Sequence, residues 1–476
     1  MHFPSHPILR AVAWLSAAVL VAGCSSSDSK ARSALDEYQT ATAANNLPAA
    51  RQALLELVRA KDDVAEYWAE LGKVQAAMGS YNDAYYAFTR AYELNRSDPA
   101  LVRVLTELAL RSGDLTQAEA RAQELEILSP GDPWVKLVKG WAAYAQLHFD
   151  EAVAISDAML AATPNDTSAT ILKARSLISM RRENEAIDLL NKQIQAQPND
   201  DGSISLLAKI YQRDDNWSKV AELTQRVKTL VPADRENALL LIQAAFRSGN
   251  VELGRRASFD LLQPTADPSI VDSVLDVWAA CWPSAQRILD ARRLGAAAAG
   301  LSQRLAYAAF LSRNGSPTDA IRLVESFATL PVRAESAEAN AVLAEALWRN
   351  GKAAAAKARF DLVIAFDPGN ATALRGRSEL ELRTGNAAAA VLDAQKLVTV
   401  LPSNGGDRLL LARAFAATGN KSWMERTLWS AFRDIPGDEH ILAALQSTKR
   451  GDSGALADLN AEFARQRDNQ LNRGLF

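Results

Sequence analysis

Between Ala65 and Met78 the apolar side chains fall at Trp68, Leu71, Val74 and Met78, with Gln75 the one polar interruption of a single helical stripe. Gly79 follows, and Ala84 and Phe88 then mark the apolar face of a second helix. This pattern returns every 34 residues. Prolines stand at 130, 164, 198, 232, 368, 402 and 436, and glycines at 79, 113, 249, 351, 385 and 419, all in 34-residue registers. Alanines at 50, 84, 118, 152, 186, 356 and 390 keep a third register of the same period. Together they predict units of helix A, glycine turn, helix B and proline stop. Glycine ends helix A because it takes left-handed backbone at little steric cost. A small alanine lets helix B approach helix A, and Phe88 fills the next layer. Proline stops helix B, since it lacks an amide donor and disfavours helical geometry in the residue before it. Asp or Asn just beyond it, as in Asn165-Asp166, Asn199-Asp200 and Gly437-Asp438, can cap the next helix A. One hairpin cannot bury its apolar face alone, so the units must stack.

In the second unit Trp68, Leu71, Gly72, Gly79, Tyr81, Ala84, Phe88 and Ala91 resemble the signature of the tetratricopeptide repeat (TPR) family. The resemblance covers residues 31–438 and implies an all-α, right-handed TPR superhelical solenoid of about twelve helix-turn-helix repeats with a C-terminal capping helix. An N-terminal array is expected over 31–266, irregular TPR-like repeats over 267–336, where the register slips by two, and a C-terminal array over 337–438. Capping helices would follow over 439–476. Arg96 replaces the usual proline, and Gly254 and Met424 replace the small alanine.

The N-terminus follows another pattern. Arg10 precedes an apolar run, Ala11–Val21, that would span roughly 16 Å as a helix, about half a hydrocarbon core. This suits a secretory signal better than a membrane span. The run ends in Val21-Ala22-Gly23-Cys24, which resembles the bacterial lipobox. The resemblance implies a signal peptide over 1–23, cleavage after Gly23, and acylation of Cys24. Several acyl chains give stable anchoring where one does not. Residues 24–30 read as the lipidated Cys and a polar tether, and Ser25 rather than Asp after the cysteine points, by the family's rule, to the outer membrane and its periplasmic face.

Composition narrows the function. The 476 residues are 48% apolar and 23% charged with net charge −3, which gives no general attraction to nucleic acid. Two cysteines and four scattered histidines do not make a zinc or histidine metal centre. No Walker loop, Gly-x-Ser-x-Gly elbow, His-Glu-x-x-His pair or Rossmann glycine set occurs, so no cofactor, metal or catalytic residue is expected. Asp62-Asp63 and Asp214-Asp215 read as turn residues, and Cys281 as an inert buried thiol.

Function is therefore expected on the groove lined by the A helices. Arg111, Arg213, Arg247, Arg313, Arg349 and Arg383 each stand two residues before the turn position. Stacking would set several in a ladder able to meet carboxylates; helix C-termini also favour such cations without any partner. Trp134, Trp141 and Tyr144 share one helical face, and in the family's geometry they, with Phe246 and Trp348, would line the groove as an aromatic anchor. The expected function is a non-enzymatic protein-protein interaction scaffold on the outer membrane. It would recruit or assemble an envelope machine for exopolysaccharide export, pilus assembly or secretion, with an outer-membrane channel or assembly complex as partner. The alternative is direct binding of carbohydrate or peptidoglycan in the groove.

Overall fold

The computed structural model describes residues 26–44, 46–78, 80–112 and 114–473, so the signal segment, Cys24, Gly79 and Gly113 lie outside the described residues. Among the described residues, 26 helices follow one another without a strand. They form two compact units, one ending at Leu207 and one spanning Ala208–Asn472.

The first unit begins with α1 (Ser26–Ala43) and α2 (Leu47–Ala60), then α3 (Ala65–Ala77) and α4 (Tyr81–Leu94). α5 (Pro99–Ser112) pairs with α6 (Leu115–Leu128), α7 (Pro133–Ala145) with α8 (Phe149–Ala162), and α9 (Thr167–Ser179) with α10 (Glu183–Ala196). The division falls within α11 (Asp201–Arg213), which precedes α12 (Trp217–Leu230).

In the second unit α13 (Arg235–Arg247) pairs with α14 (Val251–Leu261), α15 (Pro268–Cys281) with α16 (Ala285–Ala297), and α17 (Leu301–Arg313) with α18 (Pro317–Val324). The regular hairpins resume with α19 (Ala334–Arg349) and α20 (Ala353–Phe366), α21 (Ala371–Arg383) and α22 (Ala387–Val400), and α23 (Gly405–Ala417) and α24 (Lys421–Asp434). α25 (Glu439–Thr448) and α26 (Ser453–Arg473) close the chain.

The local chemistry follows the repeat. Gly249, Gly351, Gly385 and Gly419 take φ of +76° to +85° at the A-to-B turn. At Gly249 the turn closes as Asn250 N–H donates to the Ala245 carbonyl at 2.8 Å. Leu147, Arg181 and Asp215 occupy the same register without glycine, and they too are left-handed, at φ 65°, 62° and 53°. The matching bond forms there: His148 N–H donates to the Ala143 carbonyl at 2.9 Å. Stacking thus imposes the turn even where the residue resists it. The expected caps also form, Asp166 Oδ1 accepting from Ala169 N–H and Asp200 Oδ1 from Ser203 N–H, both at 3.0 Å.

B helices pack against the A helix that follows, as where Ala84, Phe88 and Ala91 of α4 share one core with Leu101, Leu105 and Leu108 of α5. At the far end Leu459 and Phe463 of α26 join Ile441 and Leu445 of α25 in covering Leu428 and Phe432 of α24. Burying each such side chain is worth about 1.5–3 kcal/mol, which a final hairpin left open would forgo.

Three expectations change. α1 begins at Ser26, so residues 26–30, read as tether, belong to a helix that is tied down where Ser27 Oγ donates to the Ala60 carbonyl at 2.5 Å. The register slip originates at α14, which ends at Leu261; Pro264 then arrives two residues before the register would place it. Cys281 is half-buried rather than buried, because it ends α15 where Trp282-Pro283 replaces the glycine turn. Among the described residues no helix is long and apolar enough to cross a membrane.

Candidate functional site: the A-helix wall

In the second unit successive A helices contact one another, α13 with α15, α15 with α17, α17 with α19, and α19 with α21. Residues one repeat apart therefore stand side by side on a shared wall.

On this wall the arginine series forms, but its charge is taken up within the chain. The Arg313 guanidinium makes a two-pronged contact with Glu345, Nε to Oε1 at 2.9 Å and Nη2 to Oε2 at 3.1 Å. Arg349 donates from Nε to Glu345 Oε1 and from Nη2 to Glu379 Oε2, both at 3.2 Å. Arg383 is exposed, with its guanidinium 5.9 Å from the Trp348 ring centre, and Arg349 lies 4.8 Å from that ring. Arg247 lies over Trp217 at 4.5 Å. Arg213 is half-buried beside Asp214, 3.5 Å away. The side chain of Arg111 lies outside the described residues. The ladder expected to greet a partner's carboxylates is thus a ladder of internal pairs and stacked cations. Arg247, Arg313 and Arg383 are exposed, and of these Arg313 already has its charge paired with Glu345.

Burial pushes the Glu345 carboxyl up, but the charge and hydrogen bonds of Arg313 and Arg349 outweigh it and hold the group below its ordinary value. Sequence reasoning missed two acids on α15, Asp272 and Asp276. They stand one helical turn apart, and neither has an ion-pair partner among the described residues. Both side chains are exposed, and partial desolvation against the wall raises both; for Asp272 the Asp276 charge adds to it, and Arg313 opposes in each case. No local motif marks them, since an acid on an A helix gains meaning only from what the next repeat places opposite.

The aromatic expectation is corrected. Trp141, Tyr144, Phe246 and Trp348 are all buried, and Trp134 is half-buried against Val135 and Leu125. Trp141 and Tyr144 pack edge to face at 5.5 Å, and the Tyr144 hydroxyl meets Ser179 Oγ at 3.2 Å. Arg175, 1% exposed, lies over Trp141 at 5.8 Å; burial lowers its pKa to about 9. The ninth position of the next repeat therefore covers the ring that was expected to stand open. Phe246 stacks on Trp282 at 4.8 Å with 12° between the rings. That contact depends on the irregular repeat and could not be read from a regular register.

The sequence matches the family described as "Psidin, N-terminal TPR repeats region" over residues 140–269, and "Tetratricopeptide repeat" over 341–405. No curated protein matches it. Among solved structures, the P58(IPK) TPR domain is 17% identical, with 82% of this chain and 98% of that chain covered, at a TM-score of 0.32. The APC/C hetero-tetramer Cut9-Hcn1 is 12% identical, with 94% and 97% covered, at 0.32. Yeast Tom70 is 11% identical, with 83% and 97% covered, at 0.28. At these identities and scores the likeness to each is loose. The two family matches, by contrast, fall on hairpins of the 34-residue period, the first match reaching α14, where the register breaks. This is a fold that typically docks proteins rather than catalysing reactions. The chain is a tetratricopeptide repeat protein, a scaffold for protein-protein interaction.

Proposed function

We propose that this chain is a non-enzymatic docking scaffold held by acyl chains on Cys24 at the periplasmic face of the outer membrane. There it holds a protein component of an envelope machine, in the class of exopolysaccharide export, pilus or secretion assemblies. The observation that carries the reading is the run Val21-Ala22-Gly23-Cys24-Ser25 placed directly before an array of docking repeats. Multiple acyl chains would fix one end at the lipid surface and leave the repeats for a protein partner. The carbohydrate alternative is less well supported, because Trp141, Tyr144, Phe246 and Trp348 are buried and present no open ring face to a sugar.

Fractionation of the native envelope tests the anchor. Wild-type protein should sediment with outer membrane, and the exported Cys24→Ser form should be released to the soluble fraction. Equal sedimentation of both forms would overturn it. Crosslinking in the same envelopes should capture a protein partner; retention on purified peptidoglycan without any protein partner would favour the alternative.

A further inference from the structure

Where the register breaks, the second unit holds an open cavity of about 390 Å³ between α13, α14 and the α15–α16 turn. This lies at the lower end of the ~300–1,000 Å³ typical of ligand sites. Its origin can be traced residue by residue. Gly254 stands where other repeats carry alanine, and a Cβ there would come within 2.8 Å of the Phe246 ring. The missing methyl lets Phe246 settle against α14 and stack on Trp282, which with Pro283 forms the α15–α16 turn without a glycine.

Two tryptophans one helical turn apart then differ in one respect. The Trp278 indole N–H donates to Ser258 Oγ at 2.8 Å. Trp282 is 4% exposed and lines the cavity, and its indole N–H, which has no acceptor among the described residues, is not fully buried. The mouth carries one cation, Arg255, against two carboxylates, Asp290 and Glu252. Arg255 is held by Asp290 at 3.0 Å and 3.3 Å, while the Glu252 carboxylate is 88% exposed, its nearest cation being Arg255 at 3.7 Å. Val251 and Pro283 complete the apolar wall, and the Cys281 thiol lies at the edge.

We propose that this cavity is a recognition pocket for one large apolar side chain of a polypeptide partner. A main-chain carbonyl of that partner accepts from the Trp282 indole N–H, and a neighbouring basic side chain meets Glu252. Phe246 and Trp282 are turned on each other and buried, so the cavity suits an inserted side chain rather than a stacked sugar. An apolar ring with one unmet polar edge, inside a pocket with a charged rim, is the composition of an interface anchor point. The proposal rests on the reading that the repeats dock a protein, and its test separates the two.

In the full chain carrying Cys24→Ser, Cys281 is the single thiol. The probe is a phage-displayed library of random dodecapeptides selected on this protein, followed by synthesis of the enriched sequences. Enriched peptides should share a large apolar residue with Lys or Arg within two positions, and at saturation should slow alkylation of Cys281 at least about threefold. Trp282→Phe keeps a ring but removes the donor, and should weaken binding about tenfold. Glu252→Lys alters only the exposed rim, so it keeps the test alive should Trp282→Phe unfold; reselection on it should favour acidic neighbours. Peptides that bind but neither protect Cys281 nor respond to Glu252→Lys would overturn the pocket while leaving protein docking intact. Failure to enrich any peptide, or protection by phosphatidylglycerol vesicles or soluble peptidoglycan fragments instead, would overturn the peptide assignment.

Discussion

Arg313 and Glu345, 32 residues apart on adjacent A helices, meet through two hydrogen bonds of 2.9 Å and 3.1 Å. The pair joins two repeats and takes up both charges within the chain. A double-mutant cycle on Arg313→Ala and Glu345→Ala in urea unfolding should give a coupling of about 1 kcal/mol. Since Arg313 and Arg349 hold the Glu345 carboxyl below its ordinary value, the stabilisation is complete above the unfolded pKa and fades as pH falls through the folded one. The coupling should thus be present at pH 7 and largely gone at pH 2. An equal coupling at both would exclude an ionic origin.

Charge reversal separates the arginines. Arg349→Glu brings a third carboxylate beside Glu345 and Glu379 and should lower stability by about 1–3 kcal/mol by thermal unfolding. Arg383→Glu, at an exposed site, should cost no more than about 0.5 kcal/mol. Arg383 is therefore the position at which loss of partner capture can be read without loss of fold.

Asp272 and Asp276 behave in the opposite sense to Glu345. Their folded pKa values lie above the ordinary ones, so their ionised forms disfavour the fold at neutral pH, and protonation relieves the penalty. Asp272→Asn and Asp276→Asn should each raise the Tm at pH 7, and the gain should vanish in acid where the wild-type groups are protonated. A gain independent of pH would point to packing instead.

Leu147 is 71% exposed and held at φ 65°, a conformation that costs a side chain ~1–2 kcal/mol. Glycine removes that strain but adds ~0.5–1 kcal/mol of chain entropy. Leu147→Gly should therefore stabilise by about 0.5–1 kcal/mol in denaturant unfolding, as the glycines in the same register of other repeats imply. Destabilisation would show that Leu147 makes a contact worth more than its strain.

Gly254→Ala should act in reverse. The added methyl meets the Phe246 ring and pushes it from Trp282, costing about 1–3 kcal/mol and perturbing tryptophan emission. The same change at a register position that already carries alanine is no change at all, so the sensitivity is specific to this hairpin.

The repeat was legible because stacking makes every unit solve one packing problem, and its solution is written as glycine, alanine and proline at fixed offsets. Even the caps at Asp166 and Asp200 followed from position. The groove was not legible in this way. Trp141 has the spacing of an exposed anchor, yet Arg175 covers it from the following repeat. Arg313 has the placement of a ligand cation, yet Glu345 reaches it from the next A helix.

The chain's order of residues by itself determined the hairpins and their turns, because each depends on neighbours within a few dozen positions. Only the tertiary structure decided which charges are free and which rings are buried. Those outcomes depend on side chains roughly one repeat away, whose identity the period does not constrain, and at α14 to α16 on a local break that no period describes.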